Sequence, residues 1–132
     1  AVILGTGFTV DWTQRPELAR LAKGIALWRD RYMPPGGENH EFADHPFLGP
    51  RFEFTERTPG TVAWVNHVHC FNYASTMTQY KLTGDIPAIS DGATRLAEGI
   101  ARSLFTEDYD DHFQRLLDYD VPELQGDEWV SD

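Results

Sequence analysis

The strongest pattern along the chain is a helical repeat of apolar side chains in residues 89–105. Apolar residues recur there three or four positions apart and charged residues fill the opposite face, which predicts an amphipathic helix. We expect its core-facing stripe to consist of Ile89, Ala93, Leu96, Ala97, Ile100, Ala101, Leu104 and Phe105. A similar stripe predicts a second helix after it, with Tyr109, Phe113, Leu116 and Leu117. Upstream, Arg15-Pro16-Glu17 opens a short predicted helix that Gly24 ends.

Shorter apolar runs predict strands upstream of the long helix. Residues 1–4 (AVIL) form a continuous apolar run before Gly5-Thr6-Gly7, which is typical of a parallel strand buried on both faces. Apolar and aromatic residues are concentrated in further short runs or alternate there with polar ones, which is typical of strands. These predicted strands are residues 25–28, 52–56, 61–65 and 68–71.

Two stretches have the composition of loops. Residues 33–50 are rich in Pro and Gly, and we expect either a functional excursion or a surface insertion without a role. Residues 72–85 are rich in Ser, Thr, Gln and Tyr, whose side chains can hydrogen-bond a ligand. Pro87 or Ser90 marks where the long helix can begin, so its positive dipole end would point back toward residues 72–85. That arrangement suits an anionic or hydrogen-bonding ligand.

Charge is distributed unevenly along the 132 residues. The formal net charge is -10, yet residues 1–105 hold ten Lys and Arg against eleven Asp and Glu, whereas residues 106–132 hold one against ten. No basic stripe is available to neutralise phosphates, so we expect no nucleic-acid partner. The hydrophobic content of 41% is that of a folded domain, and residues 121–132 are expected to form an acidic, frayed tail.

The single cysteine, Cys70, excludes an internal disulfide and favours a reducing, cytoplasmic compartment. No run of residues is long and apolar enough for a bilayer span, so we expect no membrane partner. The chain opens on an apolar run without an initiator Met, and we therefore expect a C-terminal fragment of a larger protein.

Candidate reactive residues in the predicted strand at 68–71 are better explained by structure. His67 and His69 lie on one face, but two ligands do not make a zinc site and Cys70 points to the other face, so no metal site is predicted. Cys70 shows no neighbouring base that would make it a nucleophile, and we expect it in the core. No nucleophile elbow is present in the sequence, so a hydrolase is disfavoured and catalytic residues are unknown.

Gly5-Thr6-Gly7 does not complete a dinucleotide fingerprint, because Val10 stands where the third glycine is required. The run AVILGTGFTVD, followed by RPELARL and an aromatic strand ending in His-Cys-Phe-Asn, nevertheless resembles the C-terminal part of FAD- and NADPH-dependent flavoproteins. The most similar group is the flavin-containing and N-hydroxylating monooxygenases. Gly5-Thr6-Gly7-Phe8 matches the segment that links their NADPH and FAD domains.

The resemblance implies an α/β fold, namely a partial three-layer FAD/NAD(P)-binding fold that is incomplete because the upstream Rossmann halves are missing. Residues 1–120 would be the C-terminal portion of that flavoprotein domain. The cofactor-binding residues it implies are Gly5, Thr6, Gly7, Asn72, Ser75, Thr76 and Asp85.

The function implied by the resemblance is part of an FAD-dependent, NADPH-using oxidoreductase, most simply a monooxygenase acting on a small molecule. The isolated chain would be inactive, because both dinucleotide fingerprints would lie upstream, and its unpaired strand edges would drive self-association. The alternative is a self-standing α/β binding or interaction module without catalysis, with the acidic tail as its docking surface.

Overall fold

The computed structural model describes Val2 and residues 7–120, and these residues form helices and short 3-10 turns. The helices are α1 (Ala19–Gly24), α2 (Trp28–Arg31), α3 (His40–Ala43), α4 (Thr76–Gln79), α5 (Ile86–Glu107) and α6 (Tyr109–Leu117). The 3-10 turns are Trp12–Gln14, Pro16–Leu18, Ala63–His67, Tyr73–Ser75 and Tyr80–Thr83. The chain consists of two compact units, and the boundary between them lies inside α5, between Gly99 and Ile100.

The prediction of a partial α/β dinucleotide-binding fold is wrong for the residues described. Between residues 7 and 120 there is no strand or sheet, and the predicted strand at 1–4 lies outside the described residues apart from Val2. Backbone pairing is reduced to four isolated antiparallel bridges: Ile25 with Glu56, Leu27 with Pro46, Leu48 with Phe54, and Glu53 with His69. The predicted strand at 61–65 is instead mostly the 3-10 turn Ala63–His67.

The bridges stay isolated because the backbone around them cannot extend into ladders. Phe52 has a φ of 68°, which interrupts the predicted strand 52–56 at its first residue. Pro46 has no N–H to donate, so the bridge to Leu27 ends there. Extended pieces still exchange single hydrogen bonds, such as Ala26 N to Thr55 O at 2.8 Å and Cys70 N to Phe52 O at 2.8 Å. The predicted strands 25–28, 52–56 and 68–71 thus contain buried residues with single backbone contacts, but they do not form a sheet.

A compact apolar core holds the first unit together. Its fully enclosed members include Ile25 and Val65, both at 0% exposure. The core cluster consists of Leu21, Ile25, Leu27, Leu48, Phe54, Val65 and Cys70. Trp12 closes one side, with its ring edge toward Phe54 at 6.3 Å and its Nε1 donating to Asp44 O at 2.9 Å. The short helix predicted to end at Gly24 is confirmed as the turn Pro16–Leu18 followed by α1.

The two long helices are confirmed, but α5 contacts its unit through a different face from the one expected. The helix begins at Ile86 with Pro87 in its second position, so it starts at the earlier of the two predicted boundaries and Ser90 lies inside it. Its buried positions are Gly92 and Gly99, with Leu96 half-buried between them. Much of the predicted inward stripe is exposed, since Ile89 is 42% and Leu104 56% exposed. No helix among the described residues combines the length and apolarity needed to cross a membrane, and α5 carries charged residues on most turns.

Candidate functional site

Residues 72–85 form three consecutive turns rather than an open loop, and we call them the polar segment. Asn72 begins the segment as the N-cap of Tyr73–Ser75, its side chain accepting from Ala74 N at 2.9 Å. α4 and the turn Tyr80–Thr83 follow, and Tyr80 between them has a φ of 57°. A non-glycine residue in that backbone region is strained, so the surrounding structure must hold it there.

Hydroxyl groups close the two ends of the polar segment on each other. Ser75 Oγ donates to Asn72 O at 2.8 Å and lies 2.8 Å from Thr83 Oγ1, which itself donates to Asn72 O at 2.9 Å. Ser75 is completely buried. Its hydroxyl is therefore hydrogen-bonded inside the segment, and a ligand could reach it only by disrupting these hydrogen bonds.

Thr76 and Asp85 are partly accessible and have local partners. Thr76 Oγ1 donates to Tyr73 O, which leaves the oxygen lone pairs able to accept a further hydrogen bond. Asp85 Oδ2 lies 3.6 Å from Lys81 Nζ, and the Asp85 carbonyl accepts from Ala88 N and Ile89 N in the first turn of α5. These two residues and Asn72 present polar atoms at the surface of the segment.

Of the predicted glycine-rich group, Gly5 and Thr6 lie outside the described residues. Gly7 has a φ of 89°, and a Cβ built on it would meet nothing within 4 Å. Its backbone is therefore open to a close approach by another group. The following residue, Phe8, packs its ring 5.1 Å from the ring of Tyr73, so the glycine lies near the start of the polar segment.

Two residues of α4 tie the polar segment to the rest of the first unit: Thr78, whose hydroxyl the sequence suggested for ligand contact, and Gln79, which it did not single out. Thr78 Oγ1 accepts from Trp28 Nε1 at 3.2 Å and from Leu48 N at 3.3 Å, and donates to Pro46 O at 3.1 Å. Gln79 Nε2 donates to Gly49 O at 2.7 Å. No periodicity marks these residues, because their partners are 30 or more positions away in the chain.

A pocket of about 240 Å³ lies between α2 and α3 and reaches α4. Its apolar lining includes Trp28, Tyr32, Phe42 and Met77, and its polar lining includes Arg29 and Glu38. Trp28 packs edge-on against Phe47 at 5.1 Å and is also held by Thr78, so this wall is fixed. Met77 brings the pocket against the polar segment. Residues 33–50, predicted as a loop, thus include a helix and one side of a pocket.

Charges on the pocket lining are paired with each other. Arg29 Nε lies 3.2 Å from Glu38 Oε1, and Arg29 Nη2 lies 2.6 Å from Asp44 Oδ1. The guanidinium is therefore held at two of its three nitrogens. Glu38 Oε1 takes part in this ion pair but, among the described residues, accepts no hydrogen bond although it is buried.

His45 lies beside the pocket in an aromatic row. It is 2% exposed, and its ring centroid is 5.8 Å from that of Tyr73 and 6.1 Å from that of Phe42. Burial lowers the pKa of His45, because desolvation disfavours the charged imidazolium, although the Phe42 and Glu41 carbonyls act in the opposite direction. The ring is thus neutral at neutral pH, and its Nδ1 is buried without a hydrogen-bond partner among the described residues.

The residues weighed as metal ligands or nucleophile have structural contacts. His69 Nδ1 lies 2.9 Å from Arg51 O, and the described residues contain no group of three or more metal-ligating side chains. Cys70 is buried in the core, and burial raises the pKa of its thiol to about 11. At neutral pH only about one thiol in ten thousand would be ionised, so Cys70 is unsuited to nucleophilic chemistry.

The pocket is smaller than the roughly 300–1,000 Å³ usual for drug-sized ligands. Gly7 offers open backbone. Asn72, Thr76 and Asp85 are at least partly accessible in the polar segment. Ser75 does not present its hydroxyl to solvent.

Comparison with known proteins gives one direct similarity. No family model matches the chain, and no solved structure matches it. Over 124 residues, which are 93% of the chain, it is 37% identical to an FAD-dependent urate hydroxylase of Xanthomonas campestris pv. campestris. The chain spans about a quarter of that relative, 26% of its length. The similarity supports the resemblance to FAD-dependent flavoproteins of the hydroxylating type.

Proposed function

We propose that this chain is part of an FAD-dependent hydroxylase that uses NADPH as reductant and acts on a nitrogen heterocycle of the urate class. The observation that carries the proposal is the 37% identity with an FAD-dependent urate hydroxylase over 93% of the chain. In this proposal residues 1–120 are a C-terminal portion of the flavoprotein, residues 121–132 are an acidic tail, and the protein works in the cytoplasm.

The glycine-rich start and the polar segment would form one wall of the flavin site. Gly5, Thr6 and Gly7 would let the backbone approach the cofactor closely, and Asn72, Thr76 and Asp85 would offer hydrogen bonds at its edge. Ser75 would act by holding the segment in shape through the hydrogen bond that it donates to Asn72 O, which also accepts from Thr83 Oγ1. FAD, when bound, supplies the redox chemistry, while this chain's residues position the cofactor and exclude water.

The test compares Asn72→Ala and Thr76→Ala in the flavoprotein that carries this chain. We expect either change to lower the fraction of protein that retains FAD, measured from the flavin absorbance against protein concentration. Asn72 also caps a turn, so Asp11→Ala is the matched control: Asp11 caps the turn Trp12–Gln14 in the same way, accepting from Thr13 N at 2.9 Å. Equal flavin loss in all three variants would mean that the polar segment is only structural.

A second measurement concerns the isolated 132 residues. We propose that they bind no FAD tightly and are inactive alone, because they offer one wall of a site and no glycine fingerprint. Stoichiometric FAD retained by this chain after purification would overturn that part of the proposal. We also propose that the isolated chain self-associates through its exposed apolar side chains.

A further inference from the structure

The pocket between α2 and α3 has flat walls. Trp28, Tyr32 and Phe42 contribute aromatic rings, and Met77 adds a flexible, polarisable side chain. Trp28 is fixed in place by Thr78 and Phe47, so little side-chain freedom would be lost there when a ligand enters. A volume of about 240 Å³ suits a small planar molecule of one or two rings.

The polar edge of this pocket places a donor beside an acceptor. Arg29 and Glu38 are joined through Nε and Oε1 at 3.2 Å, and Arg29 Nη2 is occupied by Asp44. Glu38 Oε1 is buried and, among the residues that the structure describes, accepts no hydrogen bond, so its 3.2 Å contact with Arg29 Nε is an ion pair only. A carboxylate oxygen that lacks a hydrogen bond beside a guanidinium is complementary to a lactam, whose N–H can donate to the carboxylate while its C=O accepts from the guanidinium.

We propose that this pocket binds the heterocyclic substrate, with its ring between Trp28, Tyr32 and Phe42 and its lactam edge on Arg29 and Glu38. The assignment rests on the proposed function for the substrate class, since oxidised purines are flat and carry several lactam groups. It adds the residues that would recognise them. Met77 places the bound ring beside α4, and hence beside the polar segment proposed to face the flavin.

The first experiment is a calorimetric titration of the 132-residue chain with xanthine, a neutral purine that carries lactam groups, and with unsubstituted purine, which has none. We expect xanthine to bind at least about tenfold more tightly, because only xanthine satisfies both Arg29 and Glu38. If the two ligands bind equally well, ring stacking accounts for binding and the proposed recognition by Arg29 and Glu38 is wrong. If neither ligand binds, the pocket is not the proposed binding site.

Two variants with matched controls locate the contact. Glu38→Met removes the carboxylate at constant chain length and should weaken xanthine by about tenfold, whereas Glu41→Met, on the exposed face of α3, should leave it unchanged. Tyr32→Ala removes a wall that is 57% exposed, so the fold should survive, and it should weaken both ligands. The control for it is Tyr109→Ala, which is 54% exposed and does not line the pocket.

The outcomes separate this proposal from the proposed function. If the chain lacks a cooperative unfolding transition by circular dichroism, the same titrations are made on the whole flavoprotein. Xanthine binding that depends on Glu38, in a protein that never retains FAD, would support the pocket and refute the hydroxylase. FAD-dependent turnover of urate with a KM unaffected by Glu38→Met and Tyr32→Ala would support the hydroxylase and refute the pocket.

Discussion

Helix α5 is positioned by two glycines, and Gly92→Ala should disturb that placement most. A Cβ on Gly92 would lie 2.1 Å from Leu82 O and 2.9 Å from Leu82 C. An ordinary carbon–oxygen contact is about 3.3 Å or longer, so the helix or the turn Tyr80–Thr83 must move by about 1 Å. Overpacking of this kind costs about 1–3 kcal/mol, and alanine's better helix propensity returns about 1 kcal/mol. The difference is about 0–2 kcal/mol, and because the contact is with a backbone oxygen that cannot rotate away, we expect a net loss at the upper end, about 2 kcal/mol.

The assay is urea denaturation followed by far-ultraviolet circular dichroism, with two controls in the same helix. The atoms nearest to a Cβ built on Gly99 belong to the Arg51 side chain, with Cδ at 2.6 Å and Cβ at 2.8 Å. Cδ can rotate away whereas Cβ moves only with its backbone, so Gly99→Ala should cost less than Gly92→Ala. Ala93→Gly, at an exposed position, should cost about 1 kcal/mol from propensity alone. If Gly92→Ala proves as stable as the wild type or more so, the close packing of α5 on the polar segment is not what positions the helix.

Three further outcomes follow from single side chains. Tyr80→Gly should raise the unfolding free energy by about 1 kcal/mol in the same assay, because glycine adopts a positive φ without strain and Tyr80 is exposed. A loss of stability would show that the Tyr80 backbone is not strained. For Cys70, the folded pKa of about 11 exceeds the ordinary 9.0, so the folded chain holds the thiol proton more tightly. This difference contributes about 3 kcal/mol to the unfolding free energy below pH 9, and that stability should be lost as the pH rises from 9 to 11. The Cys70→Ala variant should not show this loss. If the variant loses stability over the same pH range, other groups are responsible. Leu116 is 69% exposed, so Leu116→Lys should shift the isolated chain toward the monomer in sedimentation experiments. The control variant Thr106→Lys should have no effect. A wild-type chain that is monomeric at high concentration would exclude self-association.

Sequence periodicity identified the helices because a helix is a local structure. The predicted span 89–105 and the observed Ile86–Glu107 differ only at the ends, where capping rather than periodicity decides. The same pattern did not correctly predict which face of α5 is buried. Leu104 and Phe105 are more than half exposed, whereas Gly92 and Gly99 make the close contacts. A hydrophobic stripe shows that a surface should be covered, but it does not show by which part of a protein.

Three of the predicted strands, 25–28, 52–56 and 68–71, correctly indicated core residues, but the predicted pairing was wrong, and 61–65 is mostly exposed. Ile25, Phe54 and Cys70 are all in the core, as their apolar neighbours in sequence indicated. Pairing depends on the backbone of segments far apart in the chain, and the positive φ of Phe52 is not marked by any sequence signal, since phenylalanine rarely adopts it. The α/β prediction therefore failed at the step from extended segment to sheet.

The candidate site was only partly readable for a similar reason. A run of Asn, Ser and Thr in residues 72–83 indicates hydrogen bonding, but it does not tell whether the partners are ligand atoms or the segment's own carbonyls. In the structure Ser75 is buried and hydrogen-bonds within the segment, whereas Asn72, Thr76 and Asp85 lie nearer the surface. The pocket was not predicted at all, because Trp28, Glu38 and Met77 come from three separate parts of the chain.

Helix α4 joins the two proposed ligand sites mechanically, through three consecutive residues. Met77 lines the pocket, Thr78 holds Trp28 through its hydroxyl, and Gln79 donates to Gly49 O while its Oε1 accepts from Arg95 of α5 at 3.3 Å. Buried polar groups that are satisfied in this way resist displacement, because moving one leaves its partners unpaired. A shift of the polar segment would therefore be transmitted to the Trp28 wall rather than absorbed between them. In a hydroxylase, such a connection would keep the substrate ring and the flavin-facing segment in fixed register, which is what positioning requires of a protein that leaves the chemistry to its cofactor.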